Sequence, residues 1–137
     1  MIDFNYETDF ALANETLIAS WVEHVIIREG CSLGDVNYIF CDDTYLHKLN
    51  VSFLNHDTLT DIISFDASVD SCINGDIFIS IERVKENATL YKASFMEELH
   101  RVMIHGVLHY LGYKDKLEEE QLEMTKKENE ALTFLSI

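Results

Sequence analysis

SFMEELHRVMIHGVLHYLGYKDK, Ser94 to Lys116, is the stretch whose reading decides the architecture. Ser94 and Glu97 have the S-x-x-E spacing of a capping box and predict a helix start. Leu99, Val102, Met103, Val107, Leu108 and Leu111 then wrap widely around the helix. A stripe that broad predicts a helix buried in the middle of the fold rather than lying on its surface. Within it, His105 and His109 stand one turn apart and present two imidazoles to one point. Gly112 is predicted to take positive φ, end the helix and turn the chain back, which brings Asp115 toward the histidine face. The pattern H-x3-H-x2-G-x2-D thus supplies two nitrogens and one oxygen, and His105, His109 and Asp115 are the expected metal ligands, with room for a water. One histidine on an apolar face is more often a hydrogen-bonded core residue; two at i and i+4, followed by a glycine turn and an acid, point to a metal. His100 is one residue off that face and reads as structural, while His24, His47 and His56 have no matching partner in the sequence.

The spacing also constrains the chemistry. In H-E-x-x-H metalloproteases the residue after the first histidine is the general base. Here that position is Gly106, and Glu97 and Glu98 belong to the first turn, too far along the helix to substitute. No side chain is therefore assigned as the catalytic base. The expected nucleophile is water whose pKa the metal lowers to about 7. That suits phosphodiester cleavage better than peptide hydrolysis.

Working outward, IDFNYE alternates apolar and polar residues and predicts a strand, as do VNYIFCD (Val36 to Asp42), TDIISFDA (Thr60 to Ala67) and GDIFISI (Gly75 to Ile81). The last two are expected to pair as neighbours. A helix is predicted over Ala13 to Glu29, capped by Asn14 or Thr16 and ended by Gly30. A second is predicted to be capped by Asp43 and to carry Leu46, Leu49 and Phe53 on one side; a third carries Val84, Ala88 and Tyr91. A last helix starts near Leu117, with its acids Glu118, Glu119, Glu120, Glu123, Glu128 and Glu130 expected to face solvent. The order β-α-β-α-β-β-α-α-α predicts an α+β fold, one domain over residues 1–137, with a mixed sheet of about four strands covered by about five helices and the metal-bearing helix central.

At 137 residues and 47% hydrophobic, the chain can bury a core of its own. The acidic N-terminus lacks the basic and apolar regions of a signal peptide, and no apolar run approaches the roughly 18–20 residues of a membrane span. Three cysteines, Cys31, Cys41 and Cys72, show no close pairing. These features predict a reduced, cytoplasmic protein with no membrane association. The formal net charge of −15 argues against long-range attraction to polyanions and favours basic protein partners.

HGVLHYLGYKD resembles H-G-x-L-H-L-x-G-Y-D-H, the signature of the YbeY family of ribosomal RNA maturation factors. LNVSFLNHDTLTDIISFD, Leu49 to Asp66, resembles that family's L-N-x-x-Y-R-x-K-D-x-P-T-D-V-L-S-F, and GDIFIS resembles its G-D-I-x-I-S strand. The resemblance implies a single-domain α+β metalloprotein, a single-strand-specific endoribonuclease acting at the 3′ end of the small-subunit ribosomal RNA and in ribosome quality control. It implies zinc, one per chain, held by three histidines; the first two fall on His105 and His109 and the third on Asp115. The carboxylate adds a negative charge and opens the site to a harder metal such as manganese. The family's arginine in the second motif reads Leu54, its lysine His56 and its proline Leu59. Asp61 and Ser64 match the family, and both read as residues that satisfy backbone donors near strand ends.

With Leu54 in place of an arginine, the positive charges expected to meet the substrate are Lys48, Lys114 and Lys116, as a rim around the metal. Two other functions fit parts of the sequence. A zincin-like metalloprotease matches the histidine spacing and would bind peptide along an exposed edge strand near GDIFIS. A non-catalytic, metal-stabilised module that binds ribosomal proteins matches the acidic charge. The expected partners of the leading reading are single-stranded ribosomal RNA and the small ribosomal subunit with its proteins.

Overall fold

The computed structural model describes residues 1–56 and 59–135. Four strands and five helices occur among them: β1 (Ile2–Tyr6), α1 (Glu15–Arg28), β2 (Ser32–Cys41), α2 (Asp43–Leu54), β3 (Ile62–Asp66), β4 (Cys72–Ser80), α3 (Ile81–Leu90), α4 (Phe95–Tyr110) and α5 (Glu118–Leu132). The sheet order is β1-β2-β4-β3, with β1–β2 and β2–β4 parallel and β3–β4 antiparallel. The parallel pairs demand crossovers, which α1 supplies between β1 and β2. The neighbouring of β3 and β4, expected from their sequence proximity, is present, with Ile62 opposite Ile79.

Alternation along the strands sorts the side chains onto two faces. Val36, Tyr38 and Phe40 of β2, with Ile73, Ile77 and Ile79 of β4, join the main core with residues of α1 and α4. Ile63, Phe65 and Phe78 point the other way, against Leu46 and Leu49 of α2. Helix α4 is buried along most of its length, as its wide apolar stripe requires, with Leu99, Met103, Ile104 and Val107 fully covered. It is tied to the sheet by Tyr38, whose hydroxyl donates to the Met103 carbonyl at 2.9 Å, and by Tyr110, which donates to the Asp76 carbonyl at 3.0 Å. Each such bond contributes about 1 kcal/mol net, and more is lost if one partner is stranded. The passage of Tyr110 explains Gly75: a Cβ there would stand 2.6 Å from both the Tyr110 hydroxyl and the Phe65 carbonyl oxygen.

Several local expectations are corrected. Helix α2 is capped by Asp42, whose carboxylate accepts from the Tyr45 amide at 2.8 Å. Asp43 is instead the first helical residue, and its carboxylate takes Ser80 Oγ at 2.7 Å and Arg83 Nε at 3.1 Å. Ser80 also caps α3 through the Arg83 amide, so the serine of GDIFIS stitches β4, α3 and α2 together. Asn14 occupies the cap position of α1 in a left-handed conformation without a side-chain bond, and Gly30, at φ 81, follows the helix end as expected. Strand β4, which carries GDIFIS, is interior and paired on both sides, so it offers no free edge. Tyr91 lies past the end of α3 and is exposed. Glu128 departs most from expectation: Met124, Glu128 and Ala131 form the buried stripe of α5, and only 7% of Glu128 is exposed.

Candidate metal centre

The last turn of α4 and the loop behind it build the site. Ser94 opens the helix, its hydroxyl accepting from the Glu97 amide at 3.1 Å. At the other end, the Gly112 amide donates to the His109 carbonyl and the Tyr113 amide to the Leu108 carbonyl, both at 3.0 Å. That pair is a Schellman motif, with Gly112 at φ 104 in the position that needs it. The chain reverses, and Asp115 returns to the face bearing the histidines.

Three ligand-type atoms converge there. His105 Nε2 and His109 Nε2 are 3.0 Å apart, and Asp115 Oδ2 lies 3.2 Å from the first and 3.3 Å from the second. Donors bound tetrahedrally at about 2.0–2.2 Å would stand about 3.3–3.5 Å from one another, so the triangle fits a zinc-sized ion within a few tenths of an ångström. The site is reachable from solvent: the three side chains are 21%, 31% and 39% exposed, in chain order.

The outward nitrogens of both rings are held. His109 Nδ1 lies 3.0 Å from the Tyr113 carbonyl oxygen, so the loop that delivers Asp115 also orients His109. His105 Nδ1 lies 2.7 Å from Glu128 Oε2 on α5. A carbonyl and a carboxylate can only accept, so each Nδ1 carries the proton in the neutral ring and each Nε2 turns a lone pair to the centre. Burial alone would push the His105 imidazole down; the hydrogen bond and charge of Glu128, with the charges of Asp115 and Asp61, outweigh it and raise the pKa above its ordinary value. The loop is braced from behind, with Tyr113 hydrogen-bonded to Glu29 and Lys127 standing 5.5 Å over its ring.

His100 is buried, packs edge-on against Trp21 at 6.0 Å and is held below its ordinary pKa by desolvation. Burial raises the pKa of Asp61, which accepts from Asn87 at 3.4 Å; Ser64 lies in β3 opposite Ile77 of β4. Residues 57 and 58 of the second motif lie outside the described residues. Gly106 faces the sheet, where a Cβ would meet Ile62 Cδ1 and Ile77 Cδ1 at 3.1 Å. Lys114 and Lys116 are exposed on either side of Asp115, while Lys48 belongs to α2, on the opposite face of the sheet.

Sequence reasoning missed Arg101, Glu128 and the Tyr113 carbonyl. Two signals point to the side chains, and none to the carbonyl. Arg101, His105 and His109 recur every four residues, a polar stripe on a buried helix that must meet polar partners; and Glu128 shares helical spacing with Met124 and Ala131.

A mixed sheet whose buried helix ends in a His-His-Asp triangle defines a class of protein whose central helix carries a group that could hold a metal ion. The chain belongs to the YbeY family: the family described as Endoribonuclease YbeY matches residues 3–136. It is 58% identical to the Endoribonuclease YbeY of Flavobacterium psychrophilum, over 100% of this chain and 98% of that protein. It is 48% identical to the protein of the same name from Karelsulcia muelleri, over 98% and 96% of the two chains. The solution structure of TM1509 from Thermotoga maritima superposes with a TM-score of 0.68 at 26% identity, covering 96% of this chain and 87% of that one.

Proposed function

We propose that the chain is a metal-dependent, single-strand-specific endoribonuclease that acts in the cytoplasm on the 3′ end of the small-subunit ribosomal RNA and in ribosome quality control, with zinc held by His105, His109 and Asp115. The observation that carries this reading is the solvent-facing triangle of two imidazole nitrogens and one carboxylate oxygen. The full-length similarity to proteins named as endoribonucleases supports the reaction class. A divalent ion held by His105, His109 and Asp115 would supply a Lewis acid for a phosphodiester oxygen and lower the pKa of water. The chain's own contribution is to hold two neutral imidazoles by their Nδ1 protons, to add the single negative charge of Asp115, and to leave one side open to a strand. The carboxylate broadens the choice of ion toward manganese. Lys114 and Lys116, flanking Asp115, are the proposed phosphate contacts beside the ion.

Gly106 argues against a peptidase. The position that carries the base in H-E-x-x-H enzymes is pressed against Ile62 and Ile77, where a carboxylate would be buried without a partner. The net charge of −15 favours the other alternative, a docking module for basic ribosomal proteins, as a companion function rather than a replacement. No helix among the described residues is long and apolar enough to span a bilayer. The test is cleavage of single-stranded RNA by zinc-loaded protein, beside casein and beside a His105→Ala/His109→Ala variant. RNA cleaved only by the wild type, with casein intact, supports the reading; RNA left intact by the wild type overturns it.

A further inference from the structure

We infer that Glu128 is a positioning residue of the metal centre and that Arg101 sets its orientation. This rests on the metal-site reading above and adds a residue from a different helix to it. Glu128 is nearly buried, and both its oxygens are used: Oε2 faces His105 Nδ1 at 2.7 Å, and Oε1 faces Arg101 Nη1 at 2.9 Å. Arg101 is itself pinned to α5, its Nη2 donating to Asn129 Oδ1 at 2.8 Å. The path Asn129–Arg101–Glu128–His105 runs from α5 to α4, back to α5 and again to α4.

Its consequence is a choice of tautomer. A carboxylate accepts at both oxygens and donates at neither, so Glu128 forces the proton of neutral His105 onto Nδ1 and frees Nε2 for the ion. Burying a carboxylate beside an imidazole costs desolvation, and the Arg101 pair offsets it. A core helix held only by packing needs no such arrangement; an apolar residue at 128 would serve as well as Met124 and Ala131 beside it.

Glutamine is an informative replacement because it is isosteric and has one acceptor oxygen where glutamate has two. It can accept from Arg101 or from His105, but not from both. The guanidinium is permanently charged and has no acceptor, so the amide oxygen turns to Arg101 and the amide NH2 faces His105 Nδ1. That nitrogen must then accept, and the proton moves to Nε2, where it blocks the ion.

The experiment has two readouts. Zinc affinity is measured by competition with a chromophoric chelator for wild type and Glu128→Gln. The His105 tautomer is read from long-range 1H–15N correlations of the metal-free proteins, at a pH where the imidazoles are neutral. The expected result is an Nδ1–H ring in the wild type, an Nε2–H ring in the variant, and a loss of zinc affinity of roughly 10–100-fold. An unchanged tautomer or an unchanged zinc affinity in Glu128→Gln overturns the role of Glu128. Should the variant fail to fold, the wild type alone decides, since an Nε2–H ring there overturns the inference. A wild type that binds no zinc while showing the Nδ1–H ring instead sinks the metal-site reading, and with it any positioning role toward an ion.

Discussion

The Nε2 atoms of His105 and His109 lie 3.0 Å apart, with the Asp115 carboxylate against both. Two imidazole lone pairs and an anionic oxygen at these distances repel unless a positive charge stands among them. A metal ion would supply that charge; without one, a proton must. The His105 pKa is raised against the lowering effect of burial, first by its bond to Glu128 and the charge of that carboxylate, then by the charge of Asp115 in the triangle itself.

Proton and ion therefore compete. Zinc affinity is predicted to fall as pH drops through the raised imidazole range, by up to about tenfold per pH unit for each proton displaced. The sign for stability is the reverse in metal-free protein: a raised imidazole pKa contributes stability fully below the unfolded-state value, and that contribution is lost as pH rises through the folded-state value. Calorimetric zinc titrations in buffers of different ionisation enthalpy check the proton release. Affinity independent of pH across this range would contradict the competition.

Gly112 couples fold to site. Nothing lies within 4 Å of a Cβ built there, so the cost of a side chain comes from φ 104 alone and not from a clash. Gly112→Val should lose on the order of 1–3 kcal/mol in urea denaturation with chelator present. It should also weaken zinc binding beyond that, because the same turn places the Tyr113 carbonyl on His109 and Asp115 on both histidines. A variant as stable as wild type with full zinc affinity would show that the turn does not set the site.

Gly106→Glu recreates the H-E-x-x-H pattern in sequence. The structure predicts no gain of casein hydrolysis. The new side chain starts 3.1 Å from Ile62 and Ile77, so the isoleucines must yield and a carboxylate is left unpaired against the sheet. A loss of several kcal/mol is expected, read as a fall in thermal midpoint. Casein cleavage by a well-folded variant would show that this side of α4 can reach the ion.

Most of the fold was legible because its signals are local. The breadth of the apolar stripe from Leu99 to Leu111 is set by burial on all sides of α4, and the glycine turn needs only its own residues. The three expected ligands lie close together in the chain, so helix geometry alone brings two of them to one point. What was not legible depends on how distant elements dock. Glu128 looks like one more acid in EEEQLEMTKKENE until Met124 and Ala131 fix which side of α5 turns inward. The interior place of β4 depends on β1 and β2 lying on its far side, which no residue of GDIFIS announces. The shift of the α2 cap from Asp43 to Asp42 follows from partners in β4 and α3: Ser80 and Arg83 hold Asp43, leaving its neighbour to cap.

The conflict between an acidic chain and an RNA substrate is met at the loop after α4. Lys114 and Lys116 flank Asp115, yet Lys114 shares its surface hollow with Glu119, Glu120 and Glu123. Those glutamates compete with phosphate for the lysine and repel the strand, so weak affinity is expected from the protein alone. On single strands the slope of log affinity against log salt is about −0.7 per neutralised phosphate. Lys114→Ala/Lys116→Ala should therefore flatten the slope by about 0.7 for each of the two lysines that meets a phosphate, and lower affinity at low salt. Glu119→Gln/Glu120→Gln/Glu123→Gln should act in the opposite direction, raising RNA affinity at low salt while leaving zinc binding unchanged, since none of the three touches the triangle. Fluorescence anisotropy with a labelled single-stranded RNA across a salt series separates the two effects. If the lysine variant keeps the wild-type slope and affinity, these lysines are not in the site. If the wild type binds no RNA even at low salt, the chain's negative surface faces a basic protein instead, and the docking reading becomes the one to pursue.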